Sequence, residues 1–304
     1  MEVEKDKEDD TDYSSGDLFL NKTYVQKTLE CSGCTINVKM LDTASTDYDL
    51  TGQIIWPAAK LLTQYIVSKR EEYQNGSILE VGSGVGICGL FVARVNPNSV
   101  VSDNNDIVME LLEENAQLSR TDGYPCQAVK LEWGDMANIE SVKKQYGTFD
   151  TILGADVVYW RTSIIPLFLT IQQLLTDSSS ASYILCYQSR SSQTDTYLLE
   201  QASLHGFNYE FIDHQSFFNN NNNHTLNLLK SNDNDNNQNG NEGNNNNTNN
   251  QQEEEMEKEK ETKSNSYSIK DEYLLSIMKL IVFKRKNEDS GDGVGVGVVG
   301  VVVE

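Results

Sequence analysis

Between Ser77 and Asp213, short apolar runs alternate with helix-length amphipathic segments, and this alternation limits the fold more than any other feature of the chain. The runs read as strands: SILEV, SVVSD, CQAVKLEW, FDTILGAD, ASYILCYQ and FNYEFID. Helical patterning falls between most of them, in GICGLFVARV, DIVMELLEENAQLSR, IIPLFLTIQQLLTD and DTYLLEQASLHG. Strands alternating with helices of this length specify a mainly parallel sheet with helices on both faces. Another helix is predicted upstream, in TGQIIWPAAKLLTQYIVSKREEY. Pro57 suits its first turn, and Ala58, Leu61, Leu62, Tyr65 and Ile66 fall on one face. Before it, LFLNKTYVQKTLECSGCTINVKML alternates loosely with the β period, which predicts a small hairpin or two short strands.

The pattern breaks at Phe218. From there to Gln252 the chain is mostly asparagine, and the acidic EEEMEKEKETK follows. No core can form from this composition, so residues 219–265 are expected to be a disordered insertion. Patterning resumes in YLLSIMKLIVFKRK, read as a strand over residues 273–284 that is apolar on both faces. So short a segment cannot be a domain and must return to the main sheet as its last strand. The expected organisation is a disordered acidic start (residues 1–16), one domain over 17–286, and a disordered tail rich in Gly and Val (287–304).

Composition excludes several function classes. With 46 acidic against 24 basic residues, the formal net charge is −22. Such a chain has no general attraction for phosphate backbones, and nucleic acid is not an expected partner. No apolar run approaches the roughly 20 residues of a membrane span. The start, MEVEKDKEDDTD, lacks the features of a secretory or mitochondrial leader. A cytoplasmic or nuclear monomer without membrane contact is the expectation. Cys31 and Cys34 form a C-x-x-C with no second pair, and a metal site needs further ligands. Reduced structural thiols and no metal are therefore expected. His205, His214 and His224 are isolated and carry no assigned role.

The stretch SILEVGSGVGICGL places Gly82, Gly84, Gly86 and Gly89 after a strand and into a helix. Two ligands suit such a unit when an acid ends the next strand: a dinucleotide or S-adenosylmethionine. The dinucleotide fingerprint G-x-G-x-x-G would need glycine at position 87, which is Ile87. The spacing is instead G-x-G-x-G preceded by Glu80, a pattern of S-adenosylmethionine enzymes, whose ligand has no phosphates. A P-loop is excluded because no Lys-Ser/Thr follows. Asp103 ends the second strand, where a carboxylate can accept hydrogen bonds from both ribose hydroxyls; capping of the next helix is a compatible alternative. Trp133 in LEWGD lies where an adenine would stack, with Asp135 near its exocyclic amine, although core packing also accounts for a lone Trp.

TGQIIWPAAKLL, ILEVGSGVGICGL, SVVSDNND with LLEEN, LEWG and FDTILGADVVY together resemble the seven-β-strand protein methyltransferases of methyltransferase family 16. The resemblance runs from about Thr51 to Arg190 and continues to the final strand. It implies a seven-stranded, mostly parallel Rossmann-like α/β sheet with a small N-terminal β extension, and an S-adenosylmethionine-dependent enzyme that methylates a lysine of a specific protein. By the same resemblance Trp56 borders the cofactor, Glu80, Gly82, Gly84 and Gly86 cradle its amino-acid part, Asp103 takes the ribose, and Trp133 and Ala155 lie beside it. Asp156 and Tyr159, the D-x-x-Y of the fourth strand's end, sit where the methyl group faces the substrate. Asp156 would attract and orient the lysine, or else cap the following helix; Tyr159 would supply an aromatic wall or a hydroxyl. Methylation of a small molecule or of His or Arg, and a non-catalytic adaptor, are the competing readings.

Overall fold

The computed structural model describes residues 23–42, 48–218, 226–229 and 272–286. The expected disordered start and tail, and most of the asparagine-rich insertion, lie outside the described residues.

The main sheet contains seven strands among the described residues: β3 (Ile78–Val81), β4 (Ser99–Asp103), β5 (Cys126–Lys130), β6 (Thr151–Ala155), β7 (Ser182–Gln188), β8 (Phe207–Phe211) and β10 (Met278–Arg285). Their order is β5-β4-β3-β6-β7-β10-β8. The five strands from β5 to β7 are parallel, and β10 runs antiparallel to both neighbours. Alternate residues of the central strands enter two separate cores. Ile78, Val101, Leu153 and Ile184 pack under α1 (Pro57–Ser68) and α2 (Ile87–Ala93). Leu79, Val100, Ile152 and Leu185 pack under α4 (Met136–Tyr146), α5 (Ile164–Leu174) and α6 (Ser192–Leu204). Burial on both faces is why these strands read as unbroken apolar runs. Strand order reverses between β3 and β4 on one side and β6 on the other, and that switch point opens a crevice at the strands' C-terminal ends. Among the described residues no helix is long and apolar enough to cross a membrane.

A second sheet, β2-β1-β9, is built from the hairpin β1 (Tyr24–Cys31) and β2 (Cys34–Leu41) with β9 (Leu226–Leu229) added to β1. Ser32 and Gly33 both have positive φ, as a tight two-residue hairpin requires. Cys31 and Cys34 are register partners across this turn and are free thiols. The hairpin packs on α3 (Asp106–Thr121), mainly through β2.

Two expectations need correction, and one helix lies outside what the sequence displays. Residues 226–229 lie inside the segment read as a disordered insertion, yet they pair with β1 from Thr28 to Cys31. The strand read over 273–284 begins only at Met278; following α7 (Gln215–Phe218) in the helix order, a short helix, α8 (Glu272–Ile277), precedes it and leaves Tyr273 72% exposed. α4 was not among the helical segments read from the sequence. Asp135 caps it by accepting from the Asn138 N–H at 3.0 Å, and Gly147 ends it with φ 80°.

Candidate active site

A cleft of about 720 Å³ opens at the switch point. Its floor is the glycine loop between β3 and α2. Gly82 and Gly84 adopt φ +58° and +55°, a region that L side chains rarely occupy. A Cβ on Gly84 would lie 2.7 Å from the Gly52 carbonyl oxygen, and one on Gly82 would lie 2.8 Å from Val157 Cγ1 and 3.0 Å from the Trp133 ring. The loop must therefore be glycine because the protein's own segments, Thr51–Trp56 and the turns after β5 and β6, close over it. The Trp56 indole N–H donates to the Thr51 carbonyl at 2.8 Å, which folds that segment onto the cleft.

Of the residues singled out above, Trp56, Gly82, Gly84, Gly86, Asp103, Trp133, Ala155, Asp156 and Tyr159 all line this one cleft. Two do not. Glu80 is 1% exposed and lies behind the loop, where Oε2 accepts from the Gly89 N–H at 2.9 Å. It buttresses α2 and does not reach the cleft. Asp135 is spent on capping α4 and is also absent from the lining.

Asp103 ends β4 with its carboxylate accepting from Gly84 N (3.1 Å), Asn104 N (2.8 Å) and Asn105 N (3.2 Å). Burial raises its pKa, and these backbone donors oppose the rise. The capping of α3 falls to Asn105, which accepts from Ile107 N and Val108 N, so Asp103 is not the helix cap. Trp133 faces the cleft over Gly82 and also packs against the core under α5.

At the other end, Asp156 follows β6 with φ +57°, an uncommon conformation for any residue but glycine. Its side chain is 5% exposed and is gripped by Arg190, Nη1 to Oδ1 at 2.9 Å and Nη2 to Oδ2 at 2.8 Å. Gln188 N donates to Oδ1 at 3.2 Å. Such a fork is the strongest carboxylate pairing a protein makes. It raises the Arg190 pKa, and partial burial works against that rise. Arg190 is the functional candidate that sequence reading missed: it follows β7, far along the chain from Asp156, with no motif around it. Trp160 was missed too. It is 46% exposed, meets Tyr159 edge to face at 6.0 Å between centroids, and lines the cleft mouth with it.

Burial pushes the Glu80 carboxyl up to about 7, despite the lowering effect of the Gly89 N–H. An unfolded Glu titrates near ~4.3. Between these values the folded chain binds more protons than the unfolded one, so this group's contribution to stability falls as pH rises. The full shift corresponds to about 3–4 kcal/mol, an upper figure for one buried acid. Glu80→Gln keeps an acceptor for Gly89 and removes the titration. The expected result is that wild-type melting drops relative to the variant between pH 5 and 8; parallel melting curves across that range would contradict it.

Among the described residues the lining carries the carboxylates of Asp103, Glu132 and Asp156, and a single cationic side chain, Arg190, which is already paired. Among the described residues a pyrophosphate finds no free cation here. A ligand that is itself cationic and presents hydroxyls and an adenine ring finds acceptors, an aromatic face and a glycine floor.

A family model described as lysine methyltransferase matches residues 37–203. Protein N-lysine methyltransferase METTL21A of Xenopus tropicalis is 30% identical over 154 residues, covering 50% of this chain and 67% of that protein. METTL21A of Mus musculus is 30% identical over 128 residues, 41% of this chain and 56% of that protein. The histone-arginine methyltransferase METTL23 of Xenopus laevis is 28% identical over 142 residues, 46% of this chain and 58% of that protein. The matched span runs from within β2 to the last turn of α6 and contains every residue that lines the cleft, and on this evidence the chain belongs to the lysine methyltransferase family.

Proposed function

We propose that the cleft binds S-adenosylmethionine and directs its methyl group to the ε-nitrogen of a lysine in a protein substrate. One observation supports this most: among the described residues the carboxylate-rich lining holds a single cationic side chain, Arg190, and that cation is neutralised by Asp156. When bound, S-adenosylmethionine supplies a methyl group on a positively charged sulfur, already a strong electrophile. The protein's part is to position the reactants and exclude water. Asp103 accepts from the ribose hydroxyls, the Gly82–Gly86 backbone faces the amino-acid part, and the Trp133 ring covers the adenine. Trp56 and Ala155 complete the wall.

The acceptor enters past Tyr159 and Trp160. A lysine amine has a reference pKa of about 10.4 and must release its proton to water before it attacks. Desolvation inside the cleft disfavours the ammonium, as would the positive charge of the bound cofactor. Asp156, fixed by Arg190 and Gln188, orients the amine without carrying an unbalanced negative charge at this end of the cleft.

The test uses labelled S-adenosylmethionine with a protein extract, and mass spectrometry of the labelled proteins. Methyl groups on lysine support the reading; methyl groups on arginine, as the name of METTL23 invites, would move the chain to that substrate class; label in small molecules alone would overturn both. Asp103→Ala should weaken cofactor affinity by about 10- to 100-fold, since charge-assisted hydrogen bonds contribute roughly 1.5–3 kcal/mol. Unchanged affinity by calorimetry would remove Asp103 from the site.

A further inference from the structure

The N-terminal sheet lies outside the cleft lining, yet one side chain ties it to the cofactor loop. Asn115 on α3 is fully buried and uses its whole carboxamide. Oδ1 accepts from the Lys39 N–H at 2.6 Å, while Nδ2 donates to the Lys39 carbonyl at 3.0 Å and to the Val85 carbonyl at 3.0 Å. Lys39 sits on β2, an edge strand of its sheet, and its backbone groups face away from β1. The Asn115 amide pairs with them as another strand's peptide group would, and its remaining N–H reaches the loop. Val85 lies between Gly84 and Gly86. In the next turn, the Gly89 N–H is donated to Glu80. The end of the loop is therefore held from two sides, by Glu80 behind it and by Asn115 of α3, which is itself bound to the hairpin.

We propose that Asn115 is a positioning residue that couples the N-terminal sheet to the cofactor loop, so that the seating of the hairpin sets the affinity for S-adenosylmethionine. This rests on the cofactor reading above. No other side chain meets the geometry. Asp lacks both donors and would face two carbonyls, Leu offers no polar atom, and Gln places the same amide one methylene further out. Surface contacts between the same elements, such as Lys39 Nζ to Glu114 at 2.7 Å, are more than 40% exposed and serve as a control.

The experiment compares wild type, Asn115→Asp, Asn115→Leu and Lys39→Ala by calorimetry with S-adenosylmethionine and by hydrogen exchange without it. The expected result is an affinity loss of about tenfold or more in both Asn115 variants, which equals ~1.4 kcal/mol. Exchange should quicken in the Gly82–Ile87 loop while β6 and α5 keep wild-type protection. Lys39→Ala should match wild type in both. Affinity within about twofold of wild type in a folded Asn115 variant, or exchange that rises evenly through the domain, would overturn the proposal. If Asn115→Leu does not fold, Asn115→Gln carries the same comparison. If wild type binds no S-adenosylmethionine, the cofactor reading fails; the exchange experiment still decides the coupling, because loop-selective loss of protection needs no cofactor.

Discussion

A chain ending at Asn265 is expected to be insoluble. That truncation removes β10, which sits inside the main sheet between β7 and β8. Met278 pairs with Gln188 at one end and Phe283 with Tyr183 at the other, while Ile281 to Arg285 pair with β8. Met278, Leu280, Ile281 and Phe283 are each at most 2% exposed. Phe283 stacks on Tyr183 at 5.5 Å and meets Phe168 edge to face at 5.6 Å. At about 1.5–3 kcal/mol per buried side chain, these four contribute roughly 6–12 kcal/mol, as much as a whole domain's net stability. β7 would become a long exposed edge, and β8 would lose its place in the sheet, which invites pairing between chains. Replacing residues 231–262 by a Gly/Ser linker is the control. It leaves β9, α8 and β10 in place, and a change of loop length costs only ~0.6 kcal/mol per doubling. Sedimentation and calorimetry with S-adenosylmethionine read both proteins. A soluble, cofactor-binding fragment ending at Asn265 would show that β10 is dispensable to the domain, against its place in this sheet.

The contrast between these two deletions reflects what the sequence displays and what it hides. Strands β3, β4, β6 and β7 were legible because burial on both faces makes each a compact apolar run bounded by polar residues. The cleft was legible for a related reason: its loop, its acid at the end of β4 and its D-x-x-Y all follow strands of one parallel unit, so topology brings them to the same edge. α4 was hidden because only Ile139 and Val142 are buried, too few to set a helical period. The boundary between α8 and β10 was hidden by the opposite excess, since YLLSIMKLIVF is apolar at either period. β9 is four residues within an asparagine tract, and composition speaks for the tract. Arg190 and Asn115 carry no local signature, because their meaning lies in partners 34 and 76 residues away. The expected reach of Glu80 into the cleft was the reverse case: its place beside the glycines was legible, but the direction of its side chain, toward Gly89, was not.

The Asp156–Arg190 pair yields the sharpest separation of chemistry from stability. Asp156→Asn should leave melting and cofactor affinity close to wild type and lower methyl transfer about 100-fold, equivalent to ~2.7 kcal/mol in the barrier. Asn tolerates the left-handed conformation that Asp156 occupies, so the backbone at φ +57° is not further strained. Its amide oxygen still accepts from Gln188 and from one arm of Arg190. What disappears is the charge. The acceptor end of the cleft, neutral as a pair in wild type, then carries the Arg190 guanidinium alone, facing an approaching lysine ammonium. Like charges in a partly enclosed cleft oppose entry and alignment. Arg190→Ala has a different signature. It leaves the Asp156 carboxylate 5% exposed without its cation, and melting should fall by an amount equivalent to about 1–3 kcal/mol, less than for a fully buried pair because Arg190 itself is 37% exposed. Combining Asp156→Asn with Arg190→Gln removes the unbalanced charge and should recover part of the transfer rate lost by Asp156→Asn alone, a non-additivity that residues acting separately do not show. Melting curves, calorimetry and methyl incorporation into the proteins labelled by wild type read all three variants. If Asp156→Asn transfers methyl groups at the wild-type rate, or loses cofactor binding and fold together, the pair is a structural brace at the end of β6 and the orienting role assigned to Asp156 is refuted.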